Sequence, residues 1–114
     1  MKKQELKDKF EKLLRKHKLK LDEKEYKFHK TRKWRSDYAW KKEKVMVELE
    51  GGVFTRGRHV RPSGFIGDCD KYNAAALDGW TLLRYTIEHV NNRQEEIIEQ
   101  LTEALHGKEA KAIH

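Results

Sequence analysis

The sequence predicts an α/β domain whose elements run α-β-β-β-α-β-α, with a mixed sheet flanked by helices. Three observations carry this expectation. Apolar residues recur at helical spacing near both ends of the chain, they alternate at a period of two between Tyr26 and Leu49, and a glycine-dense break precedes a second helix-strand alternation. At 114 residues the chain is near the commonest domain size, so residues 1–114 are expected to form one domain around one core.

The first helix rests on Leu6, Phe10, Leu13 and Leu14, spaced i, i+4, i+7 and i+8 among Lys and Glu, over about residues 2–18. Tyr26 and Phe28, then Trp34, Tyr38 and Trp40, then Val45, Val47 and Leu49 alternate with polar residues and predict three strands. The last two form a hairpin over about 33–50, because Lys41, Lys42, Glu43 and Lys44 make a short polar connection. Residues 51–66 hold Gly51, Gly52, Gly57, Pro62 and Gly64 and read as a loop. Asp68 as N-cap and Gly79 as C-terminal stop bracket a helix over about 68–78. Trp80 to Thr86 reads as a buried strand, and Val90, Ile97, Leu101 and Leu105 mark a final helix over about 88–106, with Gly107 after its end.

Charge points toward phosphate. The chain has 26 Lys plus Arg against 19 Asp plus Glu, a formal net charge of +7, which suits a nucleic-acid partner and equally an inert basic surface. The single Cys69 excludes an internal disulfide and a multi-cysteine zinc site, and reads as a half-buried helix residue of an intracellular protein. No apolar run approaches the roughly 20 residues of a membrane span, and the Lys-rich N-terminus lacks the apolar block of a signal peptide, so a cytoplasmic protein without a membrane partner is expected. Walker loops, dinucleotide fingerprints, nucleophile triads and zinc-finger spacings are absent from the sequence. Trp34, Trp40, Trp80, Phe65 and Tyr72 are scattered, and read as core or loop anchors rather than a stacking platform.

Parity within the hairpin brings carboxylates together. If Trp40 pairs with Val45, Tyr38 lies opposite Val47, Asp37 lies opposite Glu48 on the other face, and Glu50 follows on that face. Like charges facing each other across strands are destabilising, and a divalent cation is the economical remedy; oxygen-only ligands suit Mg2+ first and Mn2+ second. The plainer alternative is a solvated face on which Arg35, opposite Glu50, forms an ordinary cross-strand ion pair. Glu50 runs directly into a segment with Arg56, Arg58, His59 and Arg61 and no acid between Gly51 and Gly67. A metal that polarises a phosphate beside arginines that hold it is the pairing phosphodiester hydrolysis needs. His59 is a candidate for protonating the leaving oxygen and equally a phosphate contact or structural His. Lys71 is a candidate for positioning the attacking water, and equally a solvated helix lysine. The other histidines show no metal-ligand spacing and read as background.

Three strings, FHKTRKWRSDYAW (28–40), VMVELEGGVFTRGRH (45–59) and DCDKYNAAALDGWTLLRYT (68–86), resemble the small PD-(D/E)XK nucleases of phages and prophages, distantly similar to very-short-patch repair endonucleases and Holliday junction resolvases. The resemblance covers about half the chain. It implies a restriction-endonuclease-like core, Asp37 and Glu48 as metal-binding motif acids, and DNA as substrate. Glu50 stands where that superfamily usually has a lysine, which leaves Glu50 as a further metal ligand and the lysine role to Lys71 or His59. A resolvase making two symmetric cuts would be a two-fold homodimer, whereas a nickase would act as a monomer. A non-catalytic nucleic-acid-binding module and an inactive prophage remnant of the same fold are the rivals.

Overall fold

A computed structural model describes residues 1–51 and 62–112. The first helix, α1 (Lys3–Lys16), buries Leu6, Phe10, Leu13 and Leu14, the stripe its spacing predicts. It ends without a glycine. Lys18 takes the left-handed conformation at φ 58°, the Leu19 N–H donates to the Leu14 carbonyl at 2.9 Å, and the Lys18 N–H donates to Arg15 at 3.1 Å. This is a Schellman closure with a lysine where glycine is usual.

Three strands follow: β1 (Glu23–Lys27), β2 (Arg35–Trp40) and β3 (Val45–Glu50). The β1–β2 and β2–β3 pairs are antiparallel, and β2–β3 has the register parity predicts: Trp40 opposite Val45 and Tyr38 opposite Val47. Helix α2 (Pro62–Leu77) then crosses back so that β4 (Thr81–Thr86) pairs parallel to β3, giving a mixed sheet in the order β1-β2-β3-β4. The chain closes with α3 (Ile87–Asn92) and α4 (Gln94–Ala112).

Period two sorts the strands into two faces. Tyr38, Trp40, Val45, Val47, Leu49 and Tyr85 pack with α1, with Val90 of α3 and with Ile97 and Leu101 of α4 in the larger apolar cluster. Ala39 and Met46 face the other way and meet Ala75 of α2 and Trp80, with Tyr26, Phe28 and Leu82 at the margin. The result is an α/β sheet with helices on both faces.

The observed structure differs from expectation at four places. Helix α2 begins at Pro62, not near Asp68, so the last part of the expected loop is helical and Asp68 lies inside the helix. Proline suits a first helical turn, and the helix carries Gly64 and Gly67 in its first turns although Phe65 and Ile66 beside them are exposed. The single expected C-terminal helix is two. Thr86 caps α3 by accepting from the His89 N–H at 3.3 Å while His89 Nδ1 accepts from the Thr86 N–H at 3.0 Å, and the helix stops at Arg93, φ −133°. Within α4, Gly107 at φ 59° and ψ −150° breaks the helical path where the sequence predicts a stop. Strand β4, expected to be buried, is an edge strand with Thr81 and Arg84 exposed. Phe65, expected to be an anchor, is 60% exposed on α2.

Candidate functional site

Asp37 lies near the start of β2 and is almost fully buried. Its Oδ2 accepts a 2.7 Å hydrogen bond from the Leu49 N–H, so the side chain itself ties β2 to β3 just beyond the Tyr38–Val47 pair. Two lysines of α1 neutralise it. Lys3 Nζ is 3.0 Å from Asp37 Oδ2, and Lys7 Nζ is 4.0 Å from Oδ1 and 2.7 Å from Glu25 Oε2. The Glu25 hydrogen bond, opposed by burial and aided by the Glu25, Asp37 and Glu11 charges, holds the Lys7 ammonium above its ordinary range. Beside this network Glu11 accepts from the Tyr38 hydroxyl at 2.7 Å and from Lys24 at 2.8 Å.

Glu48 is one step beyond Val47 on the face of β3 that α2 covers. Its carboxylate is in contact with the Lys71 ammonium, and both side chains are mostly buried. Glu48 Oε1 is shut off from solvent and accepts no well-formed hydrogen bond; its cationic neighbour is Lys71. Burial raises the Glu48 carboxyl above the usual range, Lys71 opposes the rise, and the Asp37 and Glu50 charges add to it. Glu50, two residues on, binds Arg84 Nε at 2.8 Å, and the Arg84 guanidinium also lies over the Tyr72 ring, 4.4 Å from its centroid. Burial, then the Glu48 and Glu50 charges, lift the Tyr72 hydroxyl above its ordinary range.

The structure therefore brings Glu48 and Lys71 into contact, sets Glu50 beside them, and turns Asp37 toward α1. His59, Arg56, Arg58 and Arg61 lie outside the described residues. As the side chains stand, no group of three or more His, Cys, Asp or Glu is gathered for a metal among the described residues. The chemistry of the donors nevertheless fits a hard divalent ion. Asp37, Glu48 and Glu50 offer oxygen only, Glu48 feels the other two charges, and an ammonium already stands against each of Asp37 and Glu48. Arg35 is not the partner of Glu50; Arg84 holds it because β4 runs parallel in register, with Glu48 opposite Arg84 and Glu50 opposite Thr86.

Lys3, Lys7, Tyr72 and Arg84 are site residues that sequence reasoning missed. A signal existed for two of them. Lys3 and Lys7 are spaced i, i+4 on a helix, flanking the buried Leu6, so they emerge on one side of the apolar stripe. Comparison with known proteins found no match. Neither a family model, nor a curated protein, nor a solved structure is significantly similar to this chain. Among the described residues no helix is long and apolar enough to cross a membrane.

Proposed function

We propose that the chain is a metal-dependent endonuclease that hydrolyses DNA phosphodiester bonds, on a restriction-endonuclease-like core. The observation that carries this reading is the contact of Lys71 with Glu48. Glu50 replaces the lysine expected after the second motif acid, and an ammonium arrives at that acid from α2 instead. The antiparallel hairpin, with the parallel strand joined by a helix, also agrees with the α-β-β-β-α-β order of such a core.

Asp37, Glu48 and Glu50 would hold Mg2+ or Mn2+, and the ion when bound would supply an activated water and polarise the scissile phosphate. Asp37 and Glu48 would have to give up their lysine partners to hold the ion. Lys71, now against Glu48, would then be free to stabilise charge developing on the phosphate, and Arg84, half-exposed beside Glu50, would be available to a neighbouring phosphate. The rest of the phosphate contact falls to Arg56, Arg58 and Arg61, with His59 next to them to protonate the leaving oxygen. A phage-type junction resolvase, working as a homodimer, and a nicking enzyme are the two forms this activity would take.

A second reading has its own support. Asp37, Glu48 and Glu50 each already have a lysine or arginine partner, which is what a non-catalytic nucleic-acid-binding module or an inactive remnant would show. The experiment incubates the protein, Asp37→Asn and Lys71→Met with supercoiled plasmid and a four-way junction, with Mg2+, Mn2+ or EDTA. Metal-dependent cleavage that falls at least 100-fold (~2.7 kcal/mol) in both variants is the expected outcome. DNA binding that is lost with added salt in all three proteins, without a cut under any condition, assigns the binding module instead.

A further inference from the structure

Between the β1–β2 connection and the C-terminal half of α2 is a cleft of about 580 Å3, whose lining does not include Asp37, Glu48 or Glu50. Phe28 and Thr31 line one wall, and Ala74 and Leu77 the other, with His29 and Asp78 among the lining polar groups. Leu77 is 90% exposed, although it is a large apolar residue on a helix that packs on the sheet. The wall is rigid on the loop side. Phe28 stacks with Trp34 at an interplanar angle of 19° and a centroid distance of 6.3 Å, and meets Trp80 edge-on at 6.5 Å. His29 Nδ1 accepts from the Thr31 N–H at 3.3 Å and the Arg32 N–H at 3.0 Å, which fixes the turn and leaves Nε2 as the protonated nitrogen. The Asp78 carboxylate accepts from Trp80 Nε1 at 3.0 Å and is balanced by Lys44 at 3.5 Å.

The charge around this cleft selects its occupant. Residues 27–35, KFHKTRKWR, include Lys27, Lys30, Arg32, Lys33 and Arg35 and no Asp or Glu, and all five cations are exposed. Arg32 lies over the Trp34 ring, 4.3 Å from its centroid. A slot with the apolar side chains of Phe28, Ala74 and Leu77, donors on His29, Lys30 and Thr31 and an acceptor on Asp78, set in a strip of cations, matches an unpaired nucleobase whose flanking phosphates run along the strip. An apolar peptide would fill the slot but leave the cations without partners. A paired base has its edges occupied and its faces stacked, so only a strand with an unpaired base can use the slot.

We propose that this cleft is a nucleobase-binding subsite for DNA carrying an unpaired base. It deepens the endonuclease reading by naming the form of DNA engaged, and it rests on that reading only so far as the chain binds nucleic acid. The test measures affinity for two fluorescent probes of equal charge, a twelve-residue oligothymidylate and a twelve-residue abasic strand, in EDTA. The wild-type protein is expected to bind the thymidylate at least about fivefold more tightly. Leu77→Glu and Thr31→Glu, exposed positions on opposite walls, are expected to bring that ratio to about one while circular dichroism stays unchanged. Equal affinity of the wild-type protein for both probes overturns the subsite, as does a ratio that survives both variants. Base-dependent binding without metal-dependent cleavage keeps the subsite and removes the nuclease; cleavage without base dependence does the reverse.

Discussion

On one face of the sheet Tyr38, Val47, Leu49 and Tyr85 meet three helices in an apolar cluster, with the Phe10 ring of α1 tilted against those of Tyr38 and Tyr85 at centroid distances of 5.0 Å and 6.4 Å. On the other face α2 brings Ala75 to Ala39 and Met46, and then charge takes over, with Lys71 on Glu48 and Arg84 on Glu50. The first face does what a core does: it excludes water and gains from each buried methylene. The second gives up part of that gain to hold ionised groups in half-buried positions. A fold that keeps such a face stabilises it through the other one. The contrast sets the candidate site on the α2 side of the sheet.

The largest effect should come from breaking the apolar face. Phe10→Ala removes a fully buried ring between two others and is expected to cost about 3–5 kcal/mol, a large fraction of the about 5–15 kcal/mol usual for a domain. Met46→Ala, the corresponding truncation on the α2 side, is expected near the lower end of about 2–5 kcal/mol, because the smaller cluster has fewer neighbours to lose. Urea unfolding followed by tryptophan fluorescence measures both. Equal losses would mean that α2 contributes as much core as the other three helices together, and the division between the two faces would fail.

A subtler effect separates the faces by the sign of their pH dependence. On the α1 side, burial pushes the Glu11 carboxyl up, but hydrogen bonds from Lys24 and Tyr38 outweigh it and hold the group below the ordinary 4.5. On the α2 side, burial wins and Glu48 is held above 4.5. Glu11 therefore adds stability above its unfolded value, and that contribution is lost as pH falls through its folded value. Glu48 does the opposite: its contribution is full below 4.5 and is lost as pH rises through its raised folded value. Glu11→Gln is expected to cost about 1–2 kcal/mol at neutral pH and little in acid. Glu48→Gln removes the Glu48 titration and should therefore lessen the decline in stability as pH rises through it, whatever the constant cost of leaving Lys71 without its carboxylate. Thermal melts from pH 3 to 8 give the two slopes, and slopes of the same sign would sink the assignment of opposite environments.

The hairpin was legible because parity is unforgiving: Trp40 and Val45 can share the core face in few ways, and a slip of one residue would expose Tyr38 and Val47 together. The partners of the carboxylates were not. Lys3, Lys7 and Arg84 reach the site from elements whose placement depends on packing, and no local pattern says which helix lysine will meet which strand acid. The same limit hid the cleft, whose walls, Phe28 and Leu77, are 49 positions apart in the chain. The α1 stop at Lys18 and the break at Arg93 carry neither Gly nor Pro, and so left no mark. The start of α2 misled for the opposite reason, since Gly64 and Gly67 are strong loop signals overridden by the helix around them.

Those two glycines provide the smallest and sharpest test of the α2 face. A Cβ built at either position meets nothing within 4 Å, so an added methyl neither clashes nor packs, and its effect comes from backbone entropy alone. If α2 begins at Pro62, Gly64→Ala and Gly67→Ala should each stabilise the protein by about 0.5–1 kcal/mol, and the double variant by nearly the sum. A loop running to residue 66 would give Gly64→Ala no such gain. Because Lys71 lies one to two turns further along the same helix, a firmer start should also hold its ammonium against Glu48 more tightly. The double variant is then expected to be more stable and, on the proposed endonuclease reading, slower to cut DNA. Stability rising while cleavage falls would tie the helix start to the chemistry, whereas stability rising alone would confine the glycines to the fold.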